Sequence, residues 1–165
     1  MSPSFAELGV PKDLVAVLRR NGINDPFEIQ SATIPDAMNG RDVLGRAPTG
    51  SGKTLAFGLP LVAKLREAKP HRPTALILSP TRELAEQIRR ELAPLAEIRG
   101  LRTLAIYGGV GFGPQLKALR EGVDLVVACP GRLLDLIEQR QIILDDVRYA
   151  VVDEADRMAD MGFLP

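Results

Sequence analysis

The sequence predicts an α/β domain, a predominantly parallel sheet flanked by helices. Three observations predict it. Five short apolar runs, at 42–45, 74–78, 103–107, 124–128 and 149–152, are continuous rather than alternating, as strands covered on both faces are. Helical patterns lie between the runs, and repeated strand–helix alternation builds parallel βαβ units. A glycine-rich stretch ending in Gly52-Lys53-Thr54 follows the first run and opens a helix, the context that a phosphate-binding loop requires.

The elements follow in order. Residues 1–40 read as a separate helical segment. Leu14, Val17 and Leu18 share one face of a short helix starting near Pro11, a favoured first-turn residue, and Asn21-Gly22 ends it. A second short helix spans 27–38, with Pro35 disturbing it. Residues 41–165 form the α/β core. There Leu55, Leu59 and Val62 line a helix that Pro60 should kink. Leu84, Ile88, Leu92 and Leu95 make a cleaner stripe, and shorter helices fit 114–120 and 132–139. Lys69-Pro70-His71-Arg72-Pro73 is a turn-rich connector.

Composition narrows the class. The chain has 165 residues, 45% hydrophobic and 25% charged, which suits one globular domain and excludes wholesale disorder. Lysine plus arginine and aspartate plus glutamate both number 21. The basic surplus usual in nucleic-acid-binding domains is missing, so any such contact rests on a local stripe. One cysteine, Cys129, rules out an internal disulfide framework and has no partner for a metal centre. His71, between prolines, reads as a surface loop residue. No apolar run approaches the roughly 20 residues of a membrane span. The start, MSPSFAELGV, has no signal-peptide pattern. The expected compartment is the cytoplasm, with no membrane partner. With seven aromatic residues, most in the predicted core, no base-stacking strip is visible.

Two motifs carry chemistry. In Ala47-Pro48-Thr49-Gly50-Ser51-Gly52-Lys53-Thr54, glycines let backbone N–H groups close around phosphate oxygens at a helix N-terminus. Lys53 reaches the β/γ-phosphates and the Thr54 hydroxyl binds Mg²⁺. The usual first glycine is Ala47 here. In Tyr149-Ala150-Val151-Val152-Asp153-Glu154, an apolar strand ends in two carboxylates. Asp153 is placed to hold Mg²⁺ through water, and Glu154 to orient or deprotonate an attacking water. Taken alone, the second motif is equally an acidic turn that caps the next helix. Pro80-Thr81-Arg82-Glu83, Gly108-Gly109 and Pro130-Gly131-Arg132 also follow predicted strands, so all these loops meet along one sheet edge, where parallel folds bind ligands.

Together these residues resemble the amino-terminal RecA-like domain of the DEAD-box ATP-dependent RNA helicases. Asp153-Glu154-Ala155-Asp156, Pro80-Thr81-Arg82-Glu83-Leu84-Ala85-Glu86-Gln87 and 47–54 look like that family's motifs. Gly22-Ile23-Asn24-Asp25-Pro26-Phe27-Glu28-Ile29-Gln30, with Phe5 lying 17 residues before Gly22, resembles its glutamine motif. The resemblance covers essentially the whole chain. It implies that ATP with Mg²⁺ binds at 47–54 and Asp153, and that Gln30 recognises adenine, as a carboxamide can. By the same resemblance, Ile23 and Phe5 pack at the base pocket. Pro80, Thr81, Arg82, Gly108, Gly109, Pro130, Gly131 and Arg132 contact the RNA backbone with little sequence preference, and Asp156 serves interdomain coupling. Ile23 stands where the family often has an aromatic residue, and Cys129 where it usually has threonine. On their own, Gln30 reads as a solvated helix residue, Phe5 as a core aromatic, and Arg82 and Arg132 as solvated or ion-paired helix starts.

The expected function is ATP-dependent RNA binding and duplex remodelling, with this chain as the ATP-binding half. A second RecA-like domain of the same parent chain would supply the arginine that stabilises the transferred phosphoryl group. The alternatives are a nucleotide- and RNA-binding module without turnover, or half of a DNA-directed helicase. The chain ends at Phe163-Leu164-Pro165, whereas the family continues with another strand and a Ser-Ala-Thr motif. The resemblance places that strand between the phosphate-loop strand and the Asp153 strand. The expectation is therefore a fragment with a gap at the sheet centre and unpaired backbone groups, poorly stable and at most a weak ATP binder.

Overall fold

A computed structural model describes residues 2–45, 47 and 52–160. Four strands, β1 Ala75–Leu78, β2 Thr103–Ile106, β3 Leu125–Ala128 and β4 Tyr149–Val152, form one sheet in the order β2-β3-β1-β4. All three ladders are parallel. The seven helices among the described residues are α1 Lys12–Arg20, α2 Glu28–Met38, α3 Lys53–Lys64, α4 Arg82–Glu97, α5 Gly113–Glu121, α6 Pro130–Glu138 and α7 Ala155–Asp160.

The continuous apolar runs have the predicted cause. Side chains alternate across a strand, so β1 and β3 send Ala75, Ile77, Leu125 and Val127 to one core, built with α1, α3 and α4. Leu76, Val126 and Ala128 go to a second core with Leu119 of α5 and Leu136 of α6. Both faces are covered, so neither strand has a polar side. The segment before residue 40 joins the first core through Phe5, Leu14, Leu18 and Ile34. Arg99 also clamps it, gripping the Asp13 carboxylate with two bonds of 2.9 and 3.0 Å while donating to Ala63 O at 2.9 Å.

The structure corrects several expectations. Residues 42–45 form no strand, and Val43 and Leu44 are 44% and 100% exposed. A strand is stabilised by its ladder. Among the described residues no strand pairs with the outer side of β4, so the run at 42–45 has no ladder to join. The predicted gap is thus an open β4 edge, along which Ala150 and Val152 are exposed. Pro35 and Pro60 lie inside α2 and α3 as expected, and each costs its helix one backbone bond. The α6 helix starts at Pro130, two residues earlier than predicted, because proline suits a first helical position. His71 lies in a turn, as expected, and is half-buried and hydrogen-bonded there. Its N–H donates to Leu119 O, its carbonyl accepts from Ile143 N–H, and its Nδ1 lies 2.8 Å from Gln141 O. Most of the described aromatics are in or against the core as expected: Phe5 is buried, Phe57, Tyr149 and Phe112 pack against the two clusters, and Phe27 is 58% exposed.

Candidate nucleotide and nucleic-acid site

Parallel strands bring four carboxyl ends to one edge. Pro80 follows β1, Gly108-Gly109 follows β2, Pro130 follows β3, and Asp153-Glu154 follows β4. The α3 start reaches the same edge by a direct ion pair. Lys53, its first residue, places Nζ 3.1 Å from Oδ1 of Asp153, with side chains 30% and 8% exposed. The structure thus brings together the two sequence motifs, 100 positions apart. A cation at a helix N-terminus beside one carboxylate suits a magnesium–polyphosphate pair, because Mg²⁺ keeps most of its waters and needs few protein ligands.

The surroundings fix that arrangement. Gly52 caps α3 at φ +81°, where an L side chain is strained. A Cβ there would also run into Gln30 Nε2 and Phe27. Gln30, 1% exposed, donates from Nε2 to Gly52 O at 2.9 Å and accepts at Oε1 from Phe27 N–H at 2.8 Å. It ties the start of α2 to that of α3 and is not a solvated helix residue. One N–H and one lone pair of the carboxamide stay in hand. Ile23 is half-buried against the first core, Phe5 lies inside it, and Ala47 and Thr54 are half-buried. Glu154 sits at φ +51°, with Oε2 3.4 Å from Arg157 Nη1. Asp156 is exposed in the first turn of α7. Pro48, Thr49, Gly50, Ser51 and 161–165 lie outside the described residues.

The other half of the edge is held by arginines and aromatic rings. Thr81 caps α4, its hydroxyl accepting from Leu84 N–H at 3.3 Å. Pro80 is buried, while Arg82 is exposed and lies 5.4 Å from the Tyr107 ring centre. The Tyr107 hydroxyl donates to Glu86 at 3.1 Å. Burial first, and then the Glu86 carboxylate, pushes that hydroxyl's pKa up. Gly108 and Gly109 are exposed, and Gly109 has φ +83°. Pro130 and Gly131 open α6. Arg132 stacks on Phe112 at 3.9 Å and donates to Val110 O at 2.8 Å and to Gln115 Oε1 at 3.3 Å. Burial pushes the Cys129 thiol up, with Glu83 adding to it. Sequence reasoning missed Tyr107, Phe112 and Gln115. The signal was the pair of aromatics flanking the glycines, one before and one shortly after.

A parallel sheet flanked by helices, with a Gly-Lys helix start ion-paired to the acidic end of an edge strand, defines a RecA-like domain. The model of the DEAD/DEAH box helicase family matches residues 27–165, and the chain belongs to that family. It is similar to DEAD-box ATP-dependent RNA helicase 5 of Arabidopsis thaliana, with 46% identity over 97% of this chain and 31% of that protein. The DEAD-box ATP-dependent RNA helicase CshA of Streptococcus pneumoniae is 44% identical over 97% of this chain and 30% of its own length. Among solved structures, the RNA-helicase Prp28 from Chaetomium thermophilum bound to ADP matches with a TM-score of 0.89 and 45% identity, over 96% of this chain and 40% of that one. The DEAD box protein from Methanococcus jannaschii matches with a TM-score of 0.89 and 39% identity, over 98% and 44%. The chain therefore spans about a third of the length of these curated relatives. Among the described residues, no helix is long and apolar enough to cross a membrane.

Proposed function

We propose that this chain is the ATP-binding part of an RNA helicase. The 3.1 Å pair of Lys53 and Asp153 carries the reading, because it sets a phosphate-facing cation against a buried carboxylate at the family's two signature motifs. Lys53 and the α3 start would hold the phosphates, with Thr54 and Asp153 holding Mg²⁺, and residues 47–52 closing around them. The bound nucleotide supplies the phosphoryl group. Glu154 orients the attacking water and takes up its proton. Gln30 selects adenine with its spare N–H and lone pair. Guanine presents O6, an acceptor, where adenine presents an amino donor. Ile23 and Phe5 back the base.

Along the other half of the edge, Pro80, Thr81, Arg82, Gly108, Gly109, Pro130, Gly131 and Arg132 face the RNA sugar-phosphate backbone. Exposed glycines and helix starts offer N–H groups there, and Arg82 offers charge. Residues 1–40 serve as the base-reading segment and 41–165 as the core. A second RecA-like domain, coupled through Asp156, supplies the phosphoryl-stabilising arginine. The two share-of-length values near a third agree with a further domain in the relatives.

The test measures RNA-stimulated phosphate release by the longest natural form of the protein, with ATP and GTP in parallel. Stimulated release with ATP over GTP is expected, and Gln30→Ala should erode the preference. Equal use of the two nucleotides removes the role of Gln30. Binding of RNA and ATP without release favours the module without turnover. Stimulation by DNA alone favours a DNA-directed enzyme.

A further inference from the structure

We propose that Gln115 is a positioning residue for the RNA-facing edge, locking the loop between β2 and α5 to the start of α6. This rests on the RNA-binding reading above and adds a residue that no motif there contains. Gln115 lies in the first turn of α5 and is 5% exposed. Its carboxamide faces two ways: Nε2 donates to Tyr107 O at 3.1 Å, and Oε1 accepts from Arg132 Nη1 at 3.3 Å. Arg132 completes the ring by donating from Nη2 to Val110 O at 2.8 Å, its guanidinium lying 3.9 Å from the Phe112 ring centre.

Chemistry explains why an amide sits there. The site needs a donor toward a carbonyl and an acceptor toward a guanidinium, and a neutral carboxamide supplies both. A buried amide without partners is costly, so the two bonds hold each other in place. The contacts that the structure gives Arg132 all run back into the protein. Gln115 therefore sets where Arg132 stands on this edge and holds the loop that Arg132 braces. Gly109, at φ +83°, is held between this brace and Arg82, whose Nη1 would lie 3.4 Å from a Cβ there. The glycine N–H groups are thereby fixed before any polymer arrives, which spares the ordering cost of binding.

Gln115→Met tests this, since methionine matches the length and volume but makes neither bond. Three quantities are read on the full chain: amide hydrogen exchange at 108–112, affinity for fluorescein-labelled oligouridine with a non-hydrolysable ATP analogue, and affinity for a fluorescent ADP. Faster exchange at 108–112 is expected, with RNA affinity lower by about 5- to 100-fold, the range for losing two hydrogen bonds, and ADP affinity unchanged. Gln115→Glu keeps the acceptor for Arg132 and should fall between methionine and wild type. Unchanged exchange overturns the proposal, as does faster exchange with unchanged RNA affinity. A parallel fall in ADP affinity also overturns it, because the residue would then support the fold generally. Wild type that binds no oligouridine overturns the RNA reading and this role together, and the exchange data still report whether the lock exists.

Discussion

The two halves of the sheet edge are built differently. On the polymer side, the loops after β1, β2 and β3 spring from paired strands, and their side chains hold one another: Arg82 against Tyr107, Tyr107 on Glu86, Arg132 against Phe112 and Gln115. On the nucleotide side, α3 is preceded by residues 42–45 in no strand, and Asp153 follows β4, whose outer edge is unpaired among the described residues. There α3 is packed into the first core through Leu55, Leu59 and Val62, and at the site itself Lys53 with Asp153 and Gln30 with Gly52 are long-range side-chain contacts. One side springs from paired strands, while the other joins a packed helix to an edge strand through single side chains. Point substitutions should therefore do more damage on the nucleotide side.

The largest effect expected is on turnover. Glu154→Gln, in the longest natural form of the protein, should keep ATP binding and lower RNA-stimulated hydrolysis by about 10²–10⁴-fold, the scale of a lost general base. Wild-type turnover would remove Glu154 from its role. Next is Gly52→Ala, which meets both the left-handed backbone and the Gln30 and Phe27 side chains. A loss of about 2–4 kcal/mol is expected in denaturant titration, against no loss, or a gain of up to about 1 kcal/mol, for Gly131→Ala on the polymer side, a helical position where a Cβ meets nothing within 4 Å. Equal losses would break the contrast.

Smaller effects test the polymer side and the frame. Tyr107→Phe keeps the ring beside Arg82 and removes the bond to Glu86, so a loss of about 1 kcal/mol is expected. The smallest concerns Asp13, whose carboxyl the Arg99 hydrogen bonds hold below its ordinary pKa, against a lesser opposing effect of burial. A lowered folded pKa means that its stabilisation is present above the ordinary carboxylate range and fades as pH falls through the lowered value. The Asp13 side chain is 42% exposed, so screening keeps the effect small. Asp13→Asn should flatten the acid limb of the stability–pH curve slightly, which chemical denaturation at several pH values measures.

Much of this was legible in the sequence. The runs that became β1 and β3 were readable because burial on both faces leaves no polar position, whereas β4 has an equally apolar run although Ala150 and Val152 are exposed. The two charged motifs were readable because phosphate chemistry demands particular residues at particular spacing. What could not be read depended on partners distant in the chain. Residues 42–45 have a strand's composition, but a strand exists only where a ladder receives it. Gln30 looked like a solvated residue until α2 met α3, and His71 looked free until the loop at 141–143 reached it. Gln115 carries no motif, and its meaning comes from Tyr107 and Arg132, eight and seventeen positions away.

The central claim is that Lys53 and Asp153 form the phosphate-binding centre. Titration of a fluorescent ATP analogue against wild type and Lys53→Ala, with folding matched by circular dichroism, tests it most directly. The account predicts affinity lower by about 100-fold, the upper range of one charge-assisted contact. Lys53→Ala also leaves the Asp153 carboxylate buried and unpaired, so a Lys53→Ala/Asp153→Asn double variant serves as the control for stability, and, having lost a proposed Mg²⁺ partner too, it should bind at least as weakly as the single variant. Affinity equal to wild type in the folded Lys53→Ala chain would contradict the account.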